Sequence, residues 1–281
     1  MLRVAVPNKG SLSEPAVAML KEAGYRQRGD HRELVLLDAD NDTEFFFLRP
    51  RDIATYVGSG QLDLGITGRD LLLDSDADAE EILALNFARS TFRYAALPEA
   101  ATSVEGFAGK RIATSYGGLV RRDLASRGID AEVVHLDGAV ETAVRLGVAD
   151  VVADVVETGA TLRQAGLKLV GEPLLQSEAV MIRQRGKDDL AGVEQLVRRV
   201  HGVIIARQYV MVDYDVRTEH LEAAAKLTPG IESPTVAPLQ DPAWVAVRAM
   251  VARKDTNRVM DQLWEIGAKG ILVTDILACR L

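Results

Sequence analysis

A single cysteine, Cys279, in a chain of 281 residues excludes an internal disulfide framework, and its place in an apolar segment reads as a small core side chain. The four histidines, His31, His135, His201 and His220, are scattered without ligand spacing, which argues against a dedicated zinc site. No apolar run approaches the length of a membrane span, so no membrane partner is expected. Met1 to Pro7 passes straight into strand-like sequence without a signal-peptide pattern, and the expected location is the cytoplasm. Positive charge is also short: 33 Lys and Arg face 41 Asp and Glu, a net charge of −8. That balance excludes the broad basic surface on which non-specific nucleic-acid binding relies. The apolar fraction, 48%, belongs to a folded globular protein, and the length calls for two or three domains.

What is present concentrates in residues 149–162, Ala-Asp-Val-Val-Ala-Asp-Val-Val-Glu-Thr-Gly-Ala-Thr-Leu. Val151 to Val156 carries β-branched residues on both faces, as a central parallel strand does, with Asp154 near its carboxyl end. Thr158, Gly159 and Thr161 then offer hydroxyls and a glycine that lets backbone N–H groups approach an anion where a helix opens. The segment reads as a phosphate cradle, although a turn of this composition also serves purely conformational ends.

Asp63 to Leu71 aligns without gaps on Asp154 to Leu162, and Gly60 and Gly147 each precede an aspartate, Asp63 and Asp150, by three residues. Two similar α/β lobes facing each other across a cleft would explain the recurrence, as would coincidence between two ordinary strand–helix turns. An anionic substrate needs local positive charge, and Lys9, Arg49 and Arg51 supply it at the ends of strands Leu2 to Val6 and Glu44 to Leu48. Ser11 and Glu14 have capping-box spacing for a helix to about Ala23, stopped by Gly24, and Pro50 leads into a helix Asp52 to Val57.

Strands Glu80 to Leu85 and Phe92 to Leu97 are expected to close a first lobe. Alternating signals through Arg111 to Tyr116, Leu119 to Ser126, Glu132 to Leu136, Val140 to Leu146 and Val151 to Val156 read as a second, parallel lobe. Leu167 to Val170 and Ala179 to Gln184 read as strands returning to the first. A helix from Asp189 to about Ala206 follows, with Leu190, Val193, Val197 and Val200 as its apolar stripe. Beyond residue 208 the order is strand 210–214, helix 219–227, strands 235–239 and 245–251, helix 255–266 and strand 271–276, the βαββαβ series of a ferredoxin-like unit.

Taken in order, Pro7-Asn8-Lys9-Gly10, Phe46-Phe47-Leu48-Arg49-Pro50, Gly65-Ile66-Thr67-Gly68-Arg69-Asp70 and Asp150 to Leu162 closely resemble the long-form ATP phosphoribosyltransferases, end to end. The resemblance implies an α/β fold with a two-lobed, periplasmic-binding-protein-like catalytic core and a C-terminal ferredoxin-like regulatory domain. Lobe I would take residues 1–90 with 178–208, lobe II 91–177 and the regulatory domain 209–281. The implied reaction, the first of histidine biosynthesis, joins N1 of ATP to C1 of phosphoribosyl pyrophosphate and releases pyrophosphate. Lys9, Arg49 and Asp154 would be catalytic. Gly10, Arg51, Thr67, Asp70, Glu157, Thr158, Gly159, Ala160, Thr161 and Leu162 would bind substrate. Mg²⁺ would be held mainly through substrate oxygens, with no all-protein metal cage. The resemblance further implies feedback inhibition by histidine at Asp215, Ser233 and Thr235, and a dimer that assembles to a hexamer. The chain departs from the family at Arg51, where lysine is common, and at Tyr116-Gly117-Gly118-Leu119, where Tyr-Pro-Asn-Leu is common, and Tyr116 is given no catalytic role. A two-lobed solute-binding protein is the alternative from another class. Type-I phosphoribosyltransferases place two adjacent acids before their phosphate loop, which Asp154-Val155-Val156-Glu157 does not.

Overall fold

The computed structural model describes residues 1–30, 32–187 and 191–280. In chain order the first part runs β1 (Leu2–Pro7), α1 (Ser13–Glu22), β2 (Val35–Asp38), β3 (Thr43–Leu48), α2 (Pro50–Gly58), β4 (Leu64–Gly68), α3 (Arg69–Ser75), β5 (Ala79–Ala84) and β6 (Ser90–Ala96). It continues through β7 (Arg111–Thr114), α4 (Gly117–Ser126), β8 (Glu132–His135), α5 (Glu141–Arg145), β9 (Val151–Val156), α6 (Ala160–Gln164), β10 (Lys168–Ser177) and β11 (Ala179–Gln184). The last part is α7 (Val193–Gln208), β12 (Tyr209–Arg217), α8 (Leu221–Leu227), β13 (Thr235–Pro238), β14 (Trp244–Ala252), α9 (Thr256–Glu265) and β15 (Lys269–Asp275).

Two compact units divide the chain: Met1–Ala18 with Tyr25–Glu194, and Met19–Gly24 with Gln195–Leu281. Within the first unit, β2-β3-β1-β4-β11-β5 form one sheet and β10-β6-β9-β7-β8 another. They are joined by two crossovers, β5 to β6 and β10 to β11. The arrangement is the two-lobed α/β one. β9 lies between β6 and β7 at the centre of its sheet, and Val151, Val152 and Ala153 are fully buried there, which is why that strand is apolar on both faces.

β6 does not close the first lobe: it pairs antiparallel with β9 and β10, so the second sheet is mixed rather than parallel. β10 likewise belongs to the second sheet, running to Ser177. Its register shifts between Val170 and Leu175, and the Gly171-Glu172-Pro173 stretch at that shift reads as a strand end in sequence. Pro173 is tolerated because β10 is an edge strand. α1 begins at Ser13, so Leu12 and not Ser11 is the residue just before the helix, and the expected capping-box start is displaced. The expected start of α7, Asp189, and the first residue of its stripe, Leu190, lie outside the described residues. From Gln195 onward that helix groups with the second unit and not with the first lobe.

The lobes repeat one construction. Asp63 Oδ2 accepts from the Arg3 N–H at 2.8 Å, and Asp150 Oδ2 accepts from the Arg111 N–H at 2.9 Å. The Asp63 and Asp150 N–H groups donate back to the Arg3 and Arg111 carbonyls, both at 2.9 Å. Gly60 and Gly147 are both at positive φ, 75° and 70°. The recurrence is therefore genuine, but its register pairs Asp63 with Asp150 and not with Asp154.

The second unit holds the four-stranded antiparallel sheet β13-β14-β12-β15, the ferredoxin-like order for a βαββαβ chain. Val210, Val212, Tyr214 and Val216 alternate into its core with Val259 and Leu263 of α9. Cys279 lies beyond the last strand and is half-buried, so it is not a core strand residue.

Candidate functional site

In open α/β sheets ligands bind beyond the carboxyl ends of the strands. In the first unit those ends converge from both lobes on one cavity of about 640 Å³. Its lining is Lys9 and Gly10 after β1, Arg49 to Asp52 after β3, Leu71 after β4, Ser115 and Tyr116 after β7, and Asp137 and Gly138 after β8. A smaller cavity of about 200 Å³ shares Lys9, Gly10, Pro50, Leu71 and Tyr116 and adds Asp70, Glu157, Ser177 and Glu178. The cleft so formed is of the size that holds a small ligand.

At its floor Asp70, buried in the first turn of α3, accepts a hydrogen bond from Ser177 Oγ at 2.8 Å, while its own N–H donates to that oxygen at 3.0 Å. The Tyr116 hydroxyl faces the same carboxylate. Burial, followed by the negative Asp70, raises the Tyr116 phenol above its ordinary range and keeps it protonated. Its ring packs edge-on against Phe92 at 5.1 Å and carries the Arg51 guanidinium at 4.5 Å, a cation–π contact.

Asp154, fourth in β9, has its pKa raised, first by burial and further by Glu141 and Asp70. The Val155 N–H, donating to Oδ1 at 2.8 Å, and Arg51 oppose that rise. After β9 the turn Glu157–Gly159 leads into α6, with Gly159 in the left-handed region at φ 69°. A side chain there is strained, which explains the glycine. Thr158 and Thr161 are exposed, and Thr158 Oγ1 receives the Ala160 N–H at 3.4 Å. The turn is held from outside by Arg163, whose Nη1 donates to the Thr158 carbonyl at 2.9 Å.

Lys9, Gly10, Arg49, Arg51, Asp70 and Glu157 are thus brought to one cleft, and Asp154 is coupled to it through Arg51 and Asp70. Thr158, Gly159, Ala160 and Thr161, named with them, follow Glu157 but line neither cavity, and two more stand elsewhere. Thr67 is fully buried, its hydroxyl donating to the Pro50 carbonyl at 2.8 Å, so it braces the start of α2. The Leu162 side chain is packed in the core with Ala95, Val152 and Val156. Tyr116, Ser115, Asp137 and Ser177 line the cleft without having been expected there. Tyr116 stands two residues after β7, as Lys9 stands two after β1, and that strand-end rule was the signal available for it. In the second unit, Asp215 and Thr235 share the sheet face opposite the buried Val212–Tyr214–Val216 series, and Ser233 precedes β13. Among the described residues no three His, Cys, Asp or Glu side chains stand together as a metal cluster, and no helix is long and apolar enough to cross a membrane.

The family profile described as ATP phosphoribosyltransferase matches residues 49–202, and that described as the HisG C-terminal domain matches 206–278. The ATP phosphoribosyltransferase of Arthrobacter sp. strain FB24 is 64% identical over the whole of both chains, and that of Streptomyces coelicolor is 62% identical, also over both whole chains. Among solved structures, the ATP phosphoribosyl transferase (HisG:HisZ) complex from Thermotoga maritima is similar with a TM-score of 0.62 at 26% identity, over 73% of this chain and 98% of that one.

Proposed function

The chain belongs to the ATP phosphoribosyltransferase family, and from that premise we propose which of its residues carry the transfer. The reaction is the first step of histidine biosynthesis: N1 of ATP attacks C1 of phosphoribosyl pyrophosphate, a C–N bond forms, and the C1–O bond breaks to release pyrophosphate. Positive charge grows on the ribose and negative charge on the departing group, so the chemistry calls for preorganised charge rather than a nucleophilic side chain.

In this reading the turn Glu157–Leu162 grips the 5-phosphate of the sugar, through backbone N–H groups and the Thr158 and Thr161 hydroxyls. Asp154 accepts from the ribose hydroxyls and offsets the developing cation. Lys9 and Arg49 meet the departing pyrophosphate, and Arg51 with Gly10 the nucleotide phosphates. Asp70 faces the nucleotide. Thr67 supports the reading indirectly, by fixing Pro50 and hence the two arginines that flank it. The functional lobes are taken as 1–90 with 178–194 and 91–177, and the regulatory domain as 209–281, the helix from Gln195 being grouped with the second unit.

Mg²⁺ fits a cleft whose carboxylates, Asp52 and Asp137 in the larger cavity and Asp70, Glu157 and Glu178 in the smaller, form no three-ligand cluster among the described residues, as suits an ion taken up with the substrate. When bound it would neutralise pyrophosphate charge. Histidine is proposed to inhibit at Asp215, Ser233 and Thr235, with the protein working in the cytoplasm as a dimer that assembles to a hexamer.

The observation that carries the reading is the position of an exposed Thr-Gly-x-Thr turn at the end of the central strand that also bears Asp154. Backbone amide exchange with and without phosphoribosyl pyrophosphate tests it. Slowed exchange at residues 157–162 is expected; unchanged exchange there at saturating sugar donor would remove it.

A further inference from the structure

We propose that Asp74 is a positioning residue that latches the two lobes of the first unit and aims Arg51 into the cleft, with Gly118 as the glycine that lets the latch close. Asp74 lies on α3 of one lobe and its carboxylate is only 14% exposed. Oδ1 accepts the Leu119 N–H of α4, in the other lobe, at 3.0 Å, and Oδ2 stands 3.5 Å from Arg51 Nη1.

The first turn of α4 has no side-chain cap of its own. A carboxylate from the facing lobe therefore satisfies an orphan N–H at the positive end of a ten-residue helix. The approach is close enough to dictate residue type: a Cβ on Gly118 would overlap the Asp74 carbonyl oxygen and stand 3.2 Å from Oδ1. One turn along α4, Arg122 donates to the Leu73 carbonyl and pairs with Asp76 at 3.6 Å. The latch thus has charge on both sides of the glycine.

Arg51 is held on one side by Asp74 and on the other by the Tyr116 ring, yet its side chain remains 43% exposed toward the cleft. Neither Asp74 nor Gly118 lines the main cavity, so both act through Arg51 and through the spacing of the lobes. This also brings two of the positions that depart from the family, Arg51 and Gly118, into one contact, while Gly117 takes no part in it. Preclosed lobes bind substrate without first paying for closure, so loosening them raises the apparent KM. The proposal rests on the reading of Arg51 as a phosphate ligand for its effect on KM, and on geometry alone for its effect on closure.

The test pairs dyes at Asp40→Cys and Asp130→Cys, one on each lobe, in a Cys279→Ser background, and reads energy transfer without substrates beside steady-state kinetics. Asp74→Ala and Gly118→Ala are expected to lower transfer and to raise KM roughly five- to tenfold with kcat little changed. Asp74→Asn, which keeps an acceptor for Leu119 but loses its charge, is expected to preserve transfer while raising KM, and it remains informative if Gly118→Ala does not fold. Transfer equal to the parent in both Asp74→Ala and Gly118→Ala would overturn the latch. Lowered transfer with unchanged KM would uphold it and overturn the reading of Arg51.

Discussion

Asp154 and Thr67 occupy the same place in the two lobes, each the fourth residue of the strand that follows the Gly-x-x-Asp turn. In one lobe that place holds a buried hydroxyl committed to the Pro50 carbonyl; in the other it holds a carboxylate that burial keeps from ionising easily. A side chain with every partner in the protein is structural. A carboxylate kept in a place that disfavours its charge is the one available for work.

Asp154→Asn is expected to lower kcat/KM at least a hundredfold while raising the melting temperature by about 2–4 °C at neutral pH. The sign follows from the raised pKa: the folded state holds the proton more tightly than the unfolded one, so this group's contribution favours folding below its unfolded pKa and is lost as pH rises through its folded pKa. At pH 7 the ionised group therefore opposes folding. Melting curves of parent and variant from pH 4 to 8 check it; the gain should shrink on acidification.

Thr67→Val should do the reverse. It removes the hydrogen bond from the buried Thr67 hydroxyl to the half-buried Pro50 carbonyl and is expected to cost about 0.5–1.5 kcal/mol of stability, with a smaller effect on turnover than Asp154→Asn. Urea denaturation beside the activity assay measures both.

The same pair shows what was legible in the sequence. The Gly-x-x-Asp turns and the β9 boundaries are written in local chemistry, and both stand where expected. The gapless alignment of Asp63 on Asp154 missed because identical letters, Asp, Thr and Gly, serve different jobs four residues apart; only the hydrogen bonds from Arg3 and Arg111 reveal the true register. Read from their own residues, β6 and β10 went to the wrong lobe, although the family boundaries 91–177 hold both, because strand pairing is a long-range choice that neither strand's own residues encode. Tyr116 and Ser177 escaped notice for a similar reason. Their partner, Asp70, is distant in sequence, and no local pattern announces it.

Histidine control should separate cleanly from catalysis. Asp215→Ala is expected to raise the concentration of histidine needed for half-inhibition at least tenfold, while initial rates without histidine stay within about twofold of the parent. Full inhibition at the parental concentration would place the inhibitor elsewhere.

Chelation should stop turnover and spare the fold. With EDTA, pyrophosphate release is expected to cease, while thermal unfolding of the substrate-free protein stays unchanged, because an ion carried by substrate does not stabilise the free chain. A fall in melting temperature would indicate a resident metal.

The most direct test of the account is pyrophosphate release from ATP and phosphoribosyl pyrophosphate by the double variant Thr158→Val, Thr161→Val, with folding verified by circular dichroism. Losing two hydroxyl bonds to a charged phosphate, each worth about 1.5–3 kcal/mol, predicts a loss of roughly a hundredfold or more in kcat/KM for the sugar donor. Turnover of that donor at the parental rate would contradict the assignment of the turn after β9.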